Sequence, residues 1–165
     1  MARRVFFSFH YQRDIWRVNQ VRNSWLCQPS ITEAGFIDVA EFEKLERQGN
    51  AAVQKWIDAQ MDGTSVTCVL IGAETSTRKW VQYEIEKSAN RGNGLVGIYI
   101  HNIKDRNLKT DYQGHNPLDD LTVATNTGYD LPLSSLYTTY DWVYNKGYDN
   151  LGTWVEVAAK TAGRA

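Results

Sequence analysis

Cysteine, histidine and proline are scarce in this chain: two, three and three residues respectively among 165. Two thiols cannot build a metal cage, and Cys68 lies inside an apolar run where a buried free thiol is ordinary. No metal site is expected. Neither sign of charge is in surplus, since 18 basic and 19 acidic residues leave a net charge of −1. That balance gives no general pull toward nucleic acid or an anionic membrane. No apolar run approaches the length of a membrane span, and Met1 to Arg4 lead straight into a strand without a signal-peptide core. The expectation is a soluble, reduced, cytoplasmic protein. There is no P-loop, no strand-to-helix glycine fingerprint, no serine-centred elbow and no basic aromatic stripe. Arg91-Gly92-Asn93-Gly94 follows a helix and reads as its stop signal.

What the chain has is a βαβ unit from Ser65 to His101. A continuous apolar run, Val66 to Gly72, has the pattern of a strand buried on both faces. A turn over Glu74 to Thr77 follows, with Thr75, Ser76 or Thr77 available as a cap, then a helix over about Arg78 to Asn90. Leu95 to Ile100 is the next strand, and a crossover of this kind implies a parallel sheet. Upstream, Val5 to Phe9 is a β-branched and aromatic strand, and Asp14 is placed to cap a helix carrying Ile15, Val18, Val21 and Trp25, closed by Pro29 and Ser30. Gly35 to Val39 is a short edge-strand candidate. Phe42 and Leu45 recur at helical spacing, and Val53, Trp56, Ile57, Gln60 and Met61 form a firmer helix. Asn102 to Leu133 is polar and irregular, the profile of a lid or a disordered excursion. Leu136 to Val143 supplies a last strand, and Leu151, Trp154, Val155, Ala158 and Ala159 a last helix.

Five strands alternating with helices predict a single α/β domain over residues 1–165. Its form is a three-layer flavodoxin-like sandwich with a mainly parallel sheet of order 2-1-3-4-5. In that order the crevice lies at the carboxyl ends of strands 1 and 3. Phe9, His10 and Tyr11 should therefore face Gly72, Ala73 and the start of the Trp80 helix.

Helical phase separates two glutamates. Val81, Ile85 and Ala89 form a core-facing stripe; Glu86 shares a polar face with Lys79, Gln82 and Asn90, whereas Glu84 sits at the border of the buried face. On residues alone, Glu84 is either a surface carboxylate paired with Lys87 or a carboxylate lining the crevice. His10 and His101 follow strands, where a hydrogen-bonded loop histidine is as natural as a base, and His115 has no evident partner.

The opening Arg4-Val5-Phe6-Phe7-Ser8-Phe9-His10-Tyr11, Gly35-Phe36-Ile37-Asp38, Thr64 to Gly72, Trp80-Val81-Gln82-Tyr83-Glu84-Ile85, Tyr140-Asp141-Trp142-Val143 and Gly147 to Gly152 resemble the TIR-like (Toll/interleukin-1 receptor-like) family of the bacterial Thoeris anti-phage sensor. The likeness spans nearly the whole chain. It implies a TIR-like domain in which Glu84 is catalytic and acts on NAD, which enters as substrate, with no cofactor. It further implies release of nicotinamide and a cyclic ADP-ribose-like messenger, made after phage infection, that switches on a separate NAD-depleting effector. Phe7, Phe9 and Tyr11 are candidates to stack on a base, Ser8 and His10 to contact the nucleotide at the strand edge, Trp80 to line the pocket, and Asn90 to contact the nucleotide. A phage-derived trigger and a homo-oligomer stay open. Two other readings compete: a non-catalytic TIR-like assembly module, and a deoxyribosyltransferase-like enzyme that also sets a glutamate against an N-glycosidic bond.

Overall fold

The computed structural model describes residues 3–25 and 31–164. Cys27, Pro29 and Ser30 lie outside the described residues. In chain order the elements are β1 (Arg3–Ser8), α1 (Ile15–Trp25), β2 (Ile31–Ala34), α2 (Val39–Gln48), α3 (Asn50–Met61), β3 (Val66–Ile71), α4 (Lys79–Asn90) and β4 (Gly94–Tyr99). There follow β5 (Thr122–Ala124), β6 (Asp130–Pro132), α5 (Leu133–Leu136), β7 (Thr139–Asp141) and α6 (Gly147–Thr161).

One five-stranded sheet runs in the order β2-β1-β3-β4-β7, and all four pairings are parallel. This is the expected order, with its fifth place held by β7 because the antiparallel β5–β6 hairpin intervenes in sequence. Every residue of β3 is buried, as the uninterrupted apolar run requires of a central strand. The helices cover both faces. Thr67 of β3 reaches Ser88 of α4 at 2.6 Å, and Leu95, its register partner, packs with Val81 and Ile85 of α4. Gly94 points the other way, where a Cβ would stand 2.3 Å from the Ala158 carbonyl of α6. Strand alternation therefore puts α4 and α6 on opposite faces.

Several boundaries differ from the sequence reading. The edge strand lies before Gly35 rather than after it. Gly35 takes φ +89°, which ends the strand, and Asp38 accepts a hydrogen bond from Glu41 N (2.9 Å) to cap α2, drawing Val39 into a helix. Leu136 to Val143 is a strand only over Thr139–Asp141. Leu136 closes α5, and the Asp141 carboxylate accepts from the N–H groups of Val143 and Tyr144 (2.9 Å each), which turns the chain. None of the three candidate caps, Thr75, Ser76 or Thr77, caps α4, whose N-cap residue is Arg78. The Asp14 carboxylate does not cap α1; it turns to the Thr75 hydroxyl (3.4 Å) and fills the space above Gly72.

The stretch from Asn102 to Leu133 has a defined path, with a 3-10 turn at Pro117–Asp119 and the hairpin. Arg17 ties it to α1 by donating to the carbonyls of Ile103 (2.7 Å) and Lys109 (3.0 Å), and Arg13 pairs with Asp111 at 2.9 Å. No described helix is long and apolar enough to cross a membrane. The described residues contain no group of three or more His, Cys, Asp or Glu side chains placed to hold a metal ion.

Candidate active site

The buried face of α4 carries Trp80, Val81, Glu84, Ile85 and Ser88. These fall at offsets of 0, 1, 4, 5 and 8, two adjacent rows on one side of a helix. The second row, Trp80–Glu84–Ser88, is fixed by Ser88, which donates back to the Glu84 carbonyl (2.7 Å) while bonding Thr67 of β3. Glu84 is thereby turned inward, and it is fully buried, not at the rim. Its expected surface partner Lys87 pairs with Asp58 (3.7 Å) instead. Glu86 is exposed.

Glu84 meets the end of β1. The Tyr11 hydroxyl donates to Glu84 Oε1 at 3.1 Å and also lies 3.4 Å from the Gly35 carbonyl. Glu84 Oε2 and Ser8 Oγ are buried with no hydrogen-bond partner among the described residues. Burial raises the Glu84 pKa to about 8, against the smaller opposing influence of the Ser8 and Tyr11 hydroxyls. Ser8 is thus near enough to act on the carboxyl, but the well-formed bond is that of Tyr11. The Tyr11 phenol is itself held well above its ordinary range by burial first and by Glu84 second.

A cavity of ≈280 Å3 lies directly outside, lined in part by Phe9, His10, Tyr11, Phe42, Arg78 and Trp80. Tyr11 closes it off from Glu84. Its ring stacks on Phe42 of α2 (4.2 Å, 19°), leans on Phe9 (4.6 Å) and meets the edge of Trp56 of α3 (6.3 Å). His10 is buried, accepts from Arg13 N through Nδ1 (3.3 Å), and has its pKa lowered by desolvation and then by Arg78. It is neutral near pH 7, and the hydrogen bond to Nδ1 assigns its proton to Nε2.

The sequence-predicted residues therefore divide. Glu84, Ser8, Phe9, His10, Tyr11 and Trp80 come together at the carboxyl end of β1 and the start of α4. Phe7 is buried in the core, its ring 5.1 Å from Phe36, and is not among the pocket-lining residues. Asn90 is exposed at the far end of α4. No residue of Asn102–Leu133 lines the cavity; the loop after β1 encloses it. The other two histidines stand apart, His115 paired with Asp120 (2.8 Å) and His101 buried with its ring 5.8 Å from Tyr99. Arg78, Lys79, Phe42 and Glu46 are lining residues that sequence reasoning passed over. Phe42 gave only a core signal, and Arg78 was visible only as the start of a helix.

Fold and site together define a TIR-like α/β domain with an inward glutamate on the helix that follows its third strand. The profile of the family described as Thoeris protein ThsB, TIR-like domain, matches residues 6–105, and the chain belongs to that family. It is also 36% identical to a Bacillus cereus (strain MSX-D12) protein named "Putative cyclic ADP-D-ribose synthase ThsB1", in an alignment covering 94% of this chain and all of the relative.

Proposed function

We propose that this protein is a defence-signalling enzyme that cleaves the nicotinamide N-glycosidic bond of NAD at Glu84 and closes the ADP-ribosyl product into a cyclic messenger for a separate effector. The observation that carries the reading is a fully buried glutamate with one oxygen that has no partner among the described residues, behind an aromatic pocket at the sheet's carboxyl edge. The relative's name supports the product class.

The chemistry follows from the residues. Nicotinamide leaves NAD as a neutral molecule from a cationic ring, so the bond needs little general acid. It needs an anion beside the ribosyl centre as oxocarbenium character develops, and a carboxylate in a dry site is strong there. Glu84 Oε2 and Ser8 Oγ would take ribose hydroxyls. In the closed form the raised pKa keeps Glu84 largely protonated at pH 7. Displacing Tyr11 and bringing in a cationic substrate both favour the ionised carboxylate. Attack by a nucleophilic atom elsewhere in the same molecule then gives nicotinamide, a cyclic ADP-ribose-like product and a proton; attack by water gives nicotinamide, ADP-ribose and a proton instead. Holding the adenine over the ribosyl carbon decides between them.

The test is nicotinamide release and product mass with wild type and Glu84→Gln, in purified form and in infected cells. The expected product is lighter than ADP-ribose by one water, and it disappears with Glu84→Gln. Plain ADP-ribose alone would remove the cyclase step, and activity surviving in Glu84→Gln would remove the site. The burial of Glu84 under Tyr11 also favours a second reading, a non-catalytic assembly module. That reading predicts self-association by sedimentation with an unchanged NAD pool during infection.

A further inference from the structure

Tyr11, which covers Glu84, belongs to the turn that joins β1 to α1. The turn is closed on His10, which accepts from Arg13 N through Nδ1 (3.3 Å) and from Asp14 N through its carbonyl (3.2 Å). Asp14 is wedged above Gly72, and its own carbonyl receives the Val18 amide of α1 (2.9 Å). On this closed turn Tyr11 reaches inward to Glu84, while Arg13, two residues on, reaches outward to acidic partners. The Tyr11 ring is packed by Phe9, Phe42 and Trp56, so it cannot swing off Glu84 while its backbone stays in place. Whatever holds Arg13 therefore holds Tyr11.

Arg13 is held by the strap that follows β4, from His101 to Gly114. Its Nη2 donates to Asp111 Oδ2 at 2.9 Å, its Nε stands 3.5 Å from Glu74, and its guanidinium lies 5.8 Å from the Tyr112 ring centroid. Asp111 is well placed to hold it. Its backbone N donates to the His101 carbonyl (2.9 Å), its Oδ1 accepts from Tyr112 N (2.9 Å), and Arg17 Nη1 stands 3.8 Å from the same Oδ2. The strap is in turn fixed to the frame, by Arg17 at Ile103 and Lys109 and by Gly114, where a Cβ would stand 2.1 Å from the Gly72 carbonyl. On its other side the turn reaches α2 through Gln12 and Glu43 at 3.4 Å, a long and exposed contact. The firm tether is the one to the strap.

We propose that the Arg13–Asp111 clasp is an autoinhibitory latch. It fixes the β1–α1 turn with Tyr11 over Glu84, and release of Arg13 from the strap lets the turn and the phenol lift together. Neither Arg13 nor Asp111 lines the cavity, so both are positioning residues that act through Tyr11. The latch governs access to the carboxyl and not the bond that is broken there, and so it does not depend on the NAD reading. The Arg13 side chain is 34% exposed and that of Asp111 19%, so solvent screens the pair in part. Losing it should shift the closed-to-open ratio about threefold.

Iodoacetamide labelling of the full chain, resolved by mass spectrometry, measures opening directly. In a Ser8→Cys background one thiol lies at the buried end of β1 beside Glu84, and the native Cys68, buried in β3, reports opening of the whole fold. When closing outpaces alkylation, each labelling rate follows its own open population. Asp111→Asn keeps the shape and removes the charge; it should raise labelling at position 8 about threefold and leave Cys68 unchanged. Arg13→Gln also loses Glu74 and should raise it further, and Asp111→Asn added to Arg13→Gln should add little. Asp120→Asn, which breaks the His115 pair elsewhere in the same excursion, should change neither rate. Unchanged labelling at position 8 in Asp111→Asn, an equal rise at Cys68, or additive effects of Arg13→Gln and Asp111→Asn would each overturn the latch. Nicotinamide release separates the two ideas. If wild type cleaves NAD while Asp111→Asn labels like wild type, the latch fails and the NAD reading stands; if Asp111→Asn labels faster at position 8 alone and no variant cleaves NAD, the latch stands and the NAD reading fails.

Discussion

The Tyr11 hydroxyl donates to Glu84 at 3.1 Å while the Tyr11 ring stacks on Phe42, so one side chain both bonds the carboxyl and roofs it. A substrate cannot touch Glu84 until that side chain moves. Tyr11→Phe keeps the stack and loses the hydrogen bond, worth about 1 kcal/mol net. The closed-to-open ratio should fall about fivefold, and basal nicotinamide release should rise by a similar factor. Tyr11→Ala removes the roof as well and should raise release further, with a lower melting temperature. Steady-state nicotinamide assays decide it. Activity lower in Tyr11→Phe than in wild type would assign the phenol to the reaction instead of to closure.

Burial of Glu84 also makes stability depend on pH in a particular direction. Its pKa is raised from 4.5 to about 8, so the folded protein binds a proton that the unfolded chain releases. Stability is therefore unpenalised below about pH 4.5, falls as pH rises through the window to about 8, and levels off above it, with a slope of about 1.4 kcal/mol per pH unit at most. Glu84→Gln cannot titrate. Its melting temperature should exceed that of wild type at pH 8 and approach it near pH 4.5, by several degrees across the range. Parallel melts at matched ionic strength measure the difference; curves that stay parallel across the window would mean that Glu84 is not buried in the resting protein.

The sheet was legible because its signals are local. The apolar runs Val66 to Gly72 and Leu95 to Ile100 carry the pattern of buried strands, and the βαβ rule then ordered them. The crevice followed from that order, which is why Phe9, His10, Tyr11 and Trp80 were found. Glu84 was read as a border residue because only the Val81–Ile85–Ala89 row is apolar. The second buried row is held by Ser88 bonding across to Thr67, a long-range contact that no helical periodicity carries. The edge strand was misplaced because Gly35 looks like part of an extended run, whereas its positive φ marks the end of one. Phe42 showed in the sequence only as one of a pair at helical spacing with Leu45, and its packing against Tyr11 is what makes it a wall of the site.

Asp14 and Gly72 provide a test of the crevice geometry that is independent of catalysis. The Asp14 carboxylate is 1% exposed, and a Cβ on Gly72 would stand 2.1 Å from its Oδ2. Gly72→Ala must displace that carboxylate, or the β3 end that the Thr75 hydroxyl holds through Gly72 N at 2.8 Å. Overpacking of this kind costs about 1–3 kcal/mol. Asp14→Ala removes the clashing atoms, and it also removes a carboxyl whose pKa burial raises to about 6, so it should be mild or stabilising at pH 7. The double variant Gly72→Ala, Asp14→Ala should then be more stable than Gly72→Ala alone, with a coupling of about 1 kcal/mol or more from denaturant melts. Asp14→Asn keeps the shape and should give no such rescue, which separates the steric cause from the electrostatic one. Additive single effects would mean that the Asp14 side chain does not occupy the space above Gly72.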